Sequence, residues 1–124
     1  MSTHAIVGYE LPNGKFKIAG IHYDGYMEGV GKLLIKYFNS EKLAIKLISG
    51  GYMRSISGEG VPDYEAVQER DETSAQYVEK PDVDEIEDIT NLIKNGYIDY
   101  IYIYIKNRWV VITGLYDVIS NMSN

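Results

Sequence analysis

Between Tyr97 and Lys106 isoleucine and tyrosine alternate. Ile101, Ile103 and Ile105 fall on one parity and Tyr100, Tyr102 and Tyr104 on the other. Successive side chains of a strand leave opposite faces, so this stretch is predicted to be a strand with one aliphatic and one aromatic face. A tight turn at Lys106-Asn107 returns the chain through Arg108 to Thr113, pairing Ile103 with Val110 and Tyr104 with Trp109. Ile101, Ile103, Ile105, Val110 and Ile112 are then expected to cover helices. The opposite face, Tyr100, Tyr102, Tyr104 and Trp109, has two readings: a second core layer or subunit interface, or a stacking surface for a base.

The rest of the chain supplies partners for this hairpin. His4 to Leu11 and Phe16 to Tyr23 read as strands around a Pro12-Asn13-Gly14 turn. A glycine-punctuated loop, Asp24 to Lys32, leads into an apolar helix of about three turns carrying Leu33, Leu34, Ile35, Tyr37 and Phe38. Ser40 is placed as the N-cap of a second helix with Leu43, Ile45, Leu47 and Ile48, stopped at Gly50-Gly51. Tyr52 to Ile56 reads as a short extended piece, and Tyr64 to Arg70 as helical. Asp82 to Lys94 has Val83, Ile86, Ile89 and Ile93 at helical spacing, acids in its first turns and Asn95-Gly96 as a stop. Tyr116 to Met122 reads as a terminal helical turn. The expected fold is α+β: a small antiparallel sheet built from N-terminal and C-terminal hairpins, packed against helices, in one domain of 124 residues.

Charge is segregated along that domain. Residues 59–88 hold twelve carboxylates against Arg70 and Lys80, a net of −10, so the remainder of a chain of net −6 carries +4. An acidic excursion at about 58–88 thus leaves a mildly basic body, and it reads either as a solvated loop or as an interaction surface. Duplex nucleic acid, which needs a broad basic face, is a poor partner, whereas a small anion needs only a local pocket. Cysteine is absent, which removes disulfides, thiolate metal sites and thiol nucleophiles. No apolar run approaches a membrane span and the first residues lack a leader pattern, so a cytoplasmic protein is expected. Twelve Tyr beside two Phe and one Trp oversupply an amphipathic ring suited to recognition surfaces.

Motifs for catalysis are missing. Gly29-Val30-Gly31-Lys32 approaches a phosphate-binding loop, but Tyr26 stands where the first Gly belongs and Leu33 where a hydroxyl would meet the metal. A Gly-rich approach to a helix can still offer amides to an anion, or simply start the helix. His22 and Asp24 suggest a metal or acid/base site, yet His4 is the only other imidazole. No nucleophile–base set or carboxylate pair emerges from spacing. No catalytic residue, metal ligand or cofactor is assigned, and the chain is read as a non-enzyme.

The run Ala19-Gly20-Ile21-His22-Tyr23-Asp24-Gly25-Tyr26, then Glu28-Gly29-Val30-Gly31-Lys32-Leu33-Leu34 and Tyr37-Phe38-Asn39-Ser40, resembles a small-protein family of phages and prophages. That family's pattern is roughly G-I-x-[CH]-[WY]-D-G-Y-P-E-x-x-G-x-x-L-x-x-x-Y-x-[ST]. Gly51, Ile56 and the late Tyr102 to Val111 strand-turn-strand also fit. Met27 departs from the usual Pro, and Lys106-Asn107 from a turn ending in Gly. Within it the chain resembles the first type of Thoeris anti-defence protein. The resemblance implies a phage sponge that sequesters, without cleaving, the cyclic ADP-ribose isomer (gcADPR) made by bacterial TIR-domain proteins in the host cytoplasm. It further implies a homo-oligomer, a dimer or larger such as a hexamer, with pockets between protomers, and in some members a second site for a cyclic oligonucleotide.

Such a pocket needs an aromatic face for adenine, cations for pyrophosphate, and amide or carboxylate groups for ribose hydroxyls. Tyr23, Tyr26 and Trp109 are the candidate faces, Lys32, Arg54 and Arg108 the cations, and Asp24 and Asn91 the polar readers. Each has a plainer reading: core or interface ring, exposed turn cation, solvated helical Asn. The alternative function is an acidic inhibitor that caps a host protein directly through residues 59–88, and a nucleotide-cleaving enzyme is a third reading.

Overall fold

The computed structural model describes residues 3–64, 82–84, 89, 91, 93–96, 98–113 and 118–121. Strand β1 (Ala5–Glu10) turns at Pro12-Asn13-Gly14 into antiparallel β2 (Phe16–Ile21), with Ala5 opposite Ile21 and Glu10 opposite Phe16. The turn closes through Gly14 N–H donating to the Leu11 carbonyl at 3.0 Å, and Gly14 takes φ +85°, which a side chain resists. A π-helical turn at Met27–Gly31, within the stretch expected to be a loop, runs into α1 (Lys32–Tyr37), which overlaps the helix expected at residues 33–38. Helix α2 (Glu41–Ser49) is capped as expected: Ser40 Oγ accepts from Leu43 N–H at 3.2 Å. Gly51, at φ +93°, carries the chain out of it.

Strands β3 (Met53–Ile56), β4 (Pro62–Tyr64), β5 (Asp82–Asp84), β6 (Tyr100–Ile105), β7 (Arg108–Thr113) and β8 (Val118–Asn121) complete a single mixed sheet. Its order is β4-β3-β2-β1-β6-β7-β8. The two hairpins are antiparallel and join in parallel, β1 against β6, with Ala5 opposite Tyr100 and Tyr9 opposite Tyr104. β3 meets β2 in parallel at Ile21, while β5 pairs antiparallel with residues 16–18 at the other end of β2. The β6–β7 hairpin has the predicted register, Ile103 opposite Val110 and Tyr104 opposite Trp109. Its two turn residues, Lys106 and Asn107, both have positive φ (+52° and +65°), the type I′ geometry that matches strand twist.

Both faces of the sheet are buried: α1 and α2 lie on the aromatic one, not on the isoleucine one, which of the expected helices meets only the segment at Ile89. Tyr102, Tyr104, Trp109 and Val111 pack with Ala5, Val7 and Ala19 against Val30, Leu34, Phe38, Ala44, Leu47 and Ile48. Small residues on β1 and β2 beside large rings on β6 and β7 make room for α1 and α2 on one side of the sheet. The Trp109 indole N–H donates to the Phe38 carbonyl at 3.0 Å, and its ring meets Tyr104 edge-on at 5.4 Å. The isoleucine face, Ile101, Ile103, Val110 and Ile112 with Ile6 and Ile18, instead packs on Tyr52, Ile89 and Ile98. Of the two readings left open for the aromatic face, the structure takes the second core layer.

Three further expected elements differ. Asp82–Asp84 is a strand on β2 rather than the start of a helix, because helical spacing does not exclude a short extended pairing at an open sheet edge; positions 89, 91, 93 and 94 are helical and Gly96 stops them at φ +79°. Val118–Asn121 is a strand against β7 rather than a helical turn, because β7 would otherwise leave its backbone groups unpaired. Tyr64 ends β4 and donates its hydroxyl to the Leu47 carbonyl at 2.5 Å; the remainder of the helix expected at 64–70 lies outside the described residues. Among the described residues no helix is long and apolar enough to cross a membrane.

Replacing Lys106-Asn107 by Asn-Gly is expected to raise stability by about 1 kcal/mol in urea unfolding, since both residues occupy left-handed backbone. Trp109→Phe, which leaves the Phe38 carbonyl without its donor and opens a void, is expected to lower it by about 2–3 kcal/mol.

Candidate functional site

The chain leaves β2 at Ile21 but does not leave the sheet at once. His22 N–H donates to the Met53 carbonyl at 2.9 Å and Tyr23 N–H to the Arg54 carbonyl at 2.7 Å, prolonging the parallel contact with β3. Asp24 then takes φ +58° and reverses the path, a conformation Asp tolerates better than most residues. Gly25 N–H donates to the Thr3 carbonyl at 2.9 Å, and a Cβ there would stand 2.7 Å from Ala5 Cβ. Only glycine fits that approach. The Asp24 carbonyl accepts from Val30 N–H at 3.0 Å and the Tyr26 carbonyl from Gly29 N–H at 3.0 Å, folding the loop back into the π-helical turn.

From beneath, the Tyr102 hydroxyl donates to the Gly25 carbonyl at 2.7 Å. Burial, and then the neighbouring Tyr100, push the Tyr102 phenol well above its ordinary range, so it remains a donor. The loop is thus pinned to β1, β3, β6 and its own helix, and it presents Tyr23, Tyr26 and Met27 outward with about two-fifths of each exposed. Arg54, half-buried on β3, pairs with Asp63 of β4 at 3.5 Å. Lys32 pairs with Glu28 one turn earlier at 2.8 Å; that hydrogen bond and charge raise the Lys32 ammonium.

Five of the candidates therefore share one end of the sheet: Tyr23, Asp24, Tyr26, Lys32 and Arg54. The other three do not join them. Trp109 is fully buried with its N–H bonded to Phe38, so its place as a stacking face is corrected: it is a core residue. Arg108 is exposed at the opposite end, six residues of strand away, about 17 Å. Asn91 is exposed on the segment that packs, through Ile89, on the isoleucine face. Within one chain, Arg108 and Asn91 are not part of this cluster.

Next to the loop the structure gathers residues that spacing along the chain had separated. His4 Nδ1 lies 2.8 Å from the His22 carbonyl, and because a carbonyl only accepts, that nitrogen carries the proton. His22 Nδ1 lies 2.9 Å from the Tyr52 hydroxyl, and the two imidazoles stand 4.8 Å apart. The pairing of His22 with Asp24 is thus replaced by one with His4 and Tyr52. The signal was available: Ala5 opposite Ile21 puts position 4 across from 22. Among the described residues no group of three or more His, Asp or Glu could hold a metal ion. Comparison with protein-family models, with curated proteins and with solved structures finds no match.

Tyr102→Phe keeps the ring and removes the bond to Gly25, so urea unfolding should show a loss of about 1–2 kcal/mol and amide exchange should quicken at residues 24–31. The phenol also makes stability depend on alkaline pH. Folding raises its affinity for the proton above the ordinary 10.0, so nothing is lost below that value and stability falls as pH climbs past it. The decline measured between about pH 9 and about pH 11 should be shallower in Tyr102→Phe than in the parent.

Proposed function

We propose that this chain is a sequestering protein of the anti-defence type it resembles: it binds a cyclic ADP-ribose isomer and holds it without cleaving it, in the host cytoplasm. The observation that carries this reading is the loop from Tyr23 to Met27, whose exposed rings are held outward by a backbone pinned on several sides, beside Arg54 and Lys32. Exposed rings accept a base by stacking, worth about 1–3 kcal/mol per base. A guanidinium suits a pyrophosphate. Arg54 is held by Asp63 at 3.5 Å, and a phosphate of the ligand would compete with that carboxylate. A loop already ordered spends little of its binding energy on being ordered, which favours slow release.

The residues that carry the resemblance build this loop, and within it they divide their work. Gly25 and Gly29 permit close backbone approaches, since a Cβ at Gly29 would stand 2.6 Å from the Asp24 carbonyl. Tyr23, Asp24 and Tyr26 keep exposed side chains for a ligand. Arg108 lies at the far end of its own chain, so it enters such a pocket only from a second copy. The resemblance implies pockets shared between copies, and the role proposed for Arg108 rests on that implication alone.

Calorimetric titration with cyclic ADP-ribose isomers tests the reading. Tight binding is expected, with intact ligand recovered on heating. Tyr26→Ala and Arg108→Ala should each weaken it at least about tenfold, and mixing the two variants should restore a fraction of the sites. Neutralising Asp82, Asp84 and Asp88 should leave binding unchanged. No heat with any isomer would sink the proposal and favour the acidic inhibitor, while altered ligand in the released fraction would favour an enzyme.

A further inference from the structure

The side chain of Tyr23 has little to hold it. It is 45 % exposed, its hydroxyl bonds to no described residue, and among the described residues the imidazole of His22 is the only ring it touches. That contact is edge-on, with ring centroids 4.3 Å apart and planes at 83°. Neighbouring residues of a strand point to opposite faces, so two rings adjacent in sequence do not ordinarily meet. Here β2 has ended at Ile21, and the Tyr23 ring lies beside that of His22.

His22 in turn is fixed by groups from other parts of the sheet. Its Nδ1 lies 2.9 Å from the hydroxyl of Tyr52, which is 2 % exposed and buried in the core with Ile18, Ile89 and Ile98. The His4 ring closes in from the start of β1, at 4.8 Å. The peptide between His22 and Tyr23 is held at both of its polar ends: its carbonyl accepts from His4 Nδ1–H at 2.8 Å, and its N–H donates to the Arg54 carbonyl at 2.7 Å. Neighbouring strands thus locate the backbone of Tyr23, and a residue anchored in the core locates the one ring that its side chain rests on. A group that meets a ligand keeps its geometry when its supporting residues are themselves locked by packing and hydrogen bonds.

We propose that His22 and Tyr52 are positioning residues, which set the Tyr23 ring at the angle on which a base would stack. His22 is the wall against which the ring rests, and Tyr52 is the anchor of that wall. Their role rests on the reading of the Tyr23 loop as the ligand-facing surface, while the geometry that sets the ring is there without a ligand. A phenol without this support would have to be ordered at the moment of binding, which costs affinity.

Proton NMR of the whole protein reads the ring directly, because an imidazole edge-on at 4.3 Å displaces the Tyr23 ring resonances and cross-relaxes with them. In His22→Ala those lines should move to free-tyrosine positions. Calorimetric affinity for cyclic ADP-ribose isomers should fall about two- to tenfold in the same variant, the range set by immobilising one side chain. Tyr52→Phe should move the lines the same way by a smaller amount. His22→Phe restores a ring at the contact and should recover most of what His22→Ala loses, which a role in stability alone would not produce. Tyr37→Phe, whose hydroxyl serves the Gly58 carbonyl, should alter neither readout, and unchanged circular dichroism shows that each variant folds. Tyr23 lines that stay at their parent positions in both His22→Ala and Tyr52→Phe, or full affinity in His22→Ala where Tyr23→Ala has lost it, would overturn the proposal. If the parent binds no isomer, the reading of the loop fails, and the Tyr23 lines still decide whether His22 and Tyr52 set the ring.

Discussion

The parallel ladder between β1 and β6 is the contact on which the rest of the molecule rests. It joins residues 5–9 to 100–104, nearly the whole chain apart, and turns two separate hairpins into one sheet. An isolated hairpin is marginal in water, whereas a central pair of strands with a partner on either side can bury both faces. The same ladder sets Tyr102 beneath Gly25 at one end and Tyr9 beside Tyr104 at the other. The support beneath the Tyr23 loop is therefore a consequence of this register. A contact of such sequence separation closes late and slowly, so the loop at 22–31 gains its full support only when the C-terminal hairpin has docked.

Local signals in the sequence were read well where local physics decides. Ser40 caps α2, Gly14 closes the first turn, and the Ile/Tyr alternation sets the β6–β7 pairing to the residue. Where tertiary context decides, they were not. Which face of β6 meets α1 and α2 depends on small residues at Ala5 and Ala19, far from the tyrosines in sequence. Val83 and Ile119 lie in segments whose spacing suits a short helix, but open edges of β2 and β7 recruit them as strands. A pattern of period two is hard to mistake over six residues and easy to miss over three.

For the site, chemistry by residue type was a partial guide. Tyr23, Tyr26 and Arg54 are candidates by residue type, and the fold brings them to one end of the sheet. Trp109 misled because residue type says nothing about which side of a strand is covered. Its neighbour Arg108 is exposed while Trp109 is buried, one residue and one face apart. The His4–His22–Tyr52 contact needed two registers at once, β1 with β2 and β2 with β3, and no spacing along the chain encodes both.

The two ends of the sheet differ in charge as well as shape. Around the loop stand Arg54 and Lys32, each already held by a carboxylate, so an anion arriving there exchanges one partner for another. At the opposite end Glu10 and Glu41 make no ion pair among the described residues and stand exposed to water. Desolvation at the loop is then shared with groups that are already paired. Selectivity at the proposed loop site must then come from the placing of the rings on which a base would stack.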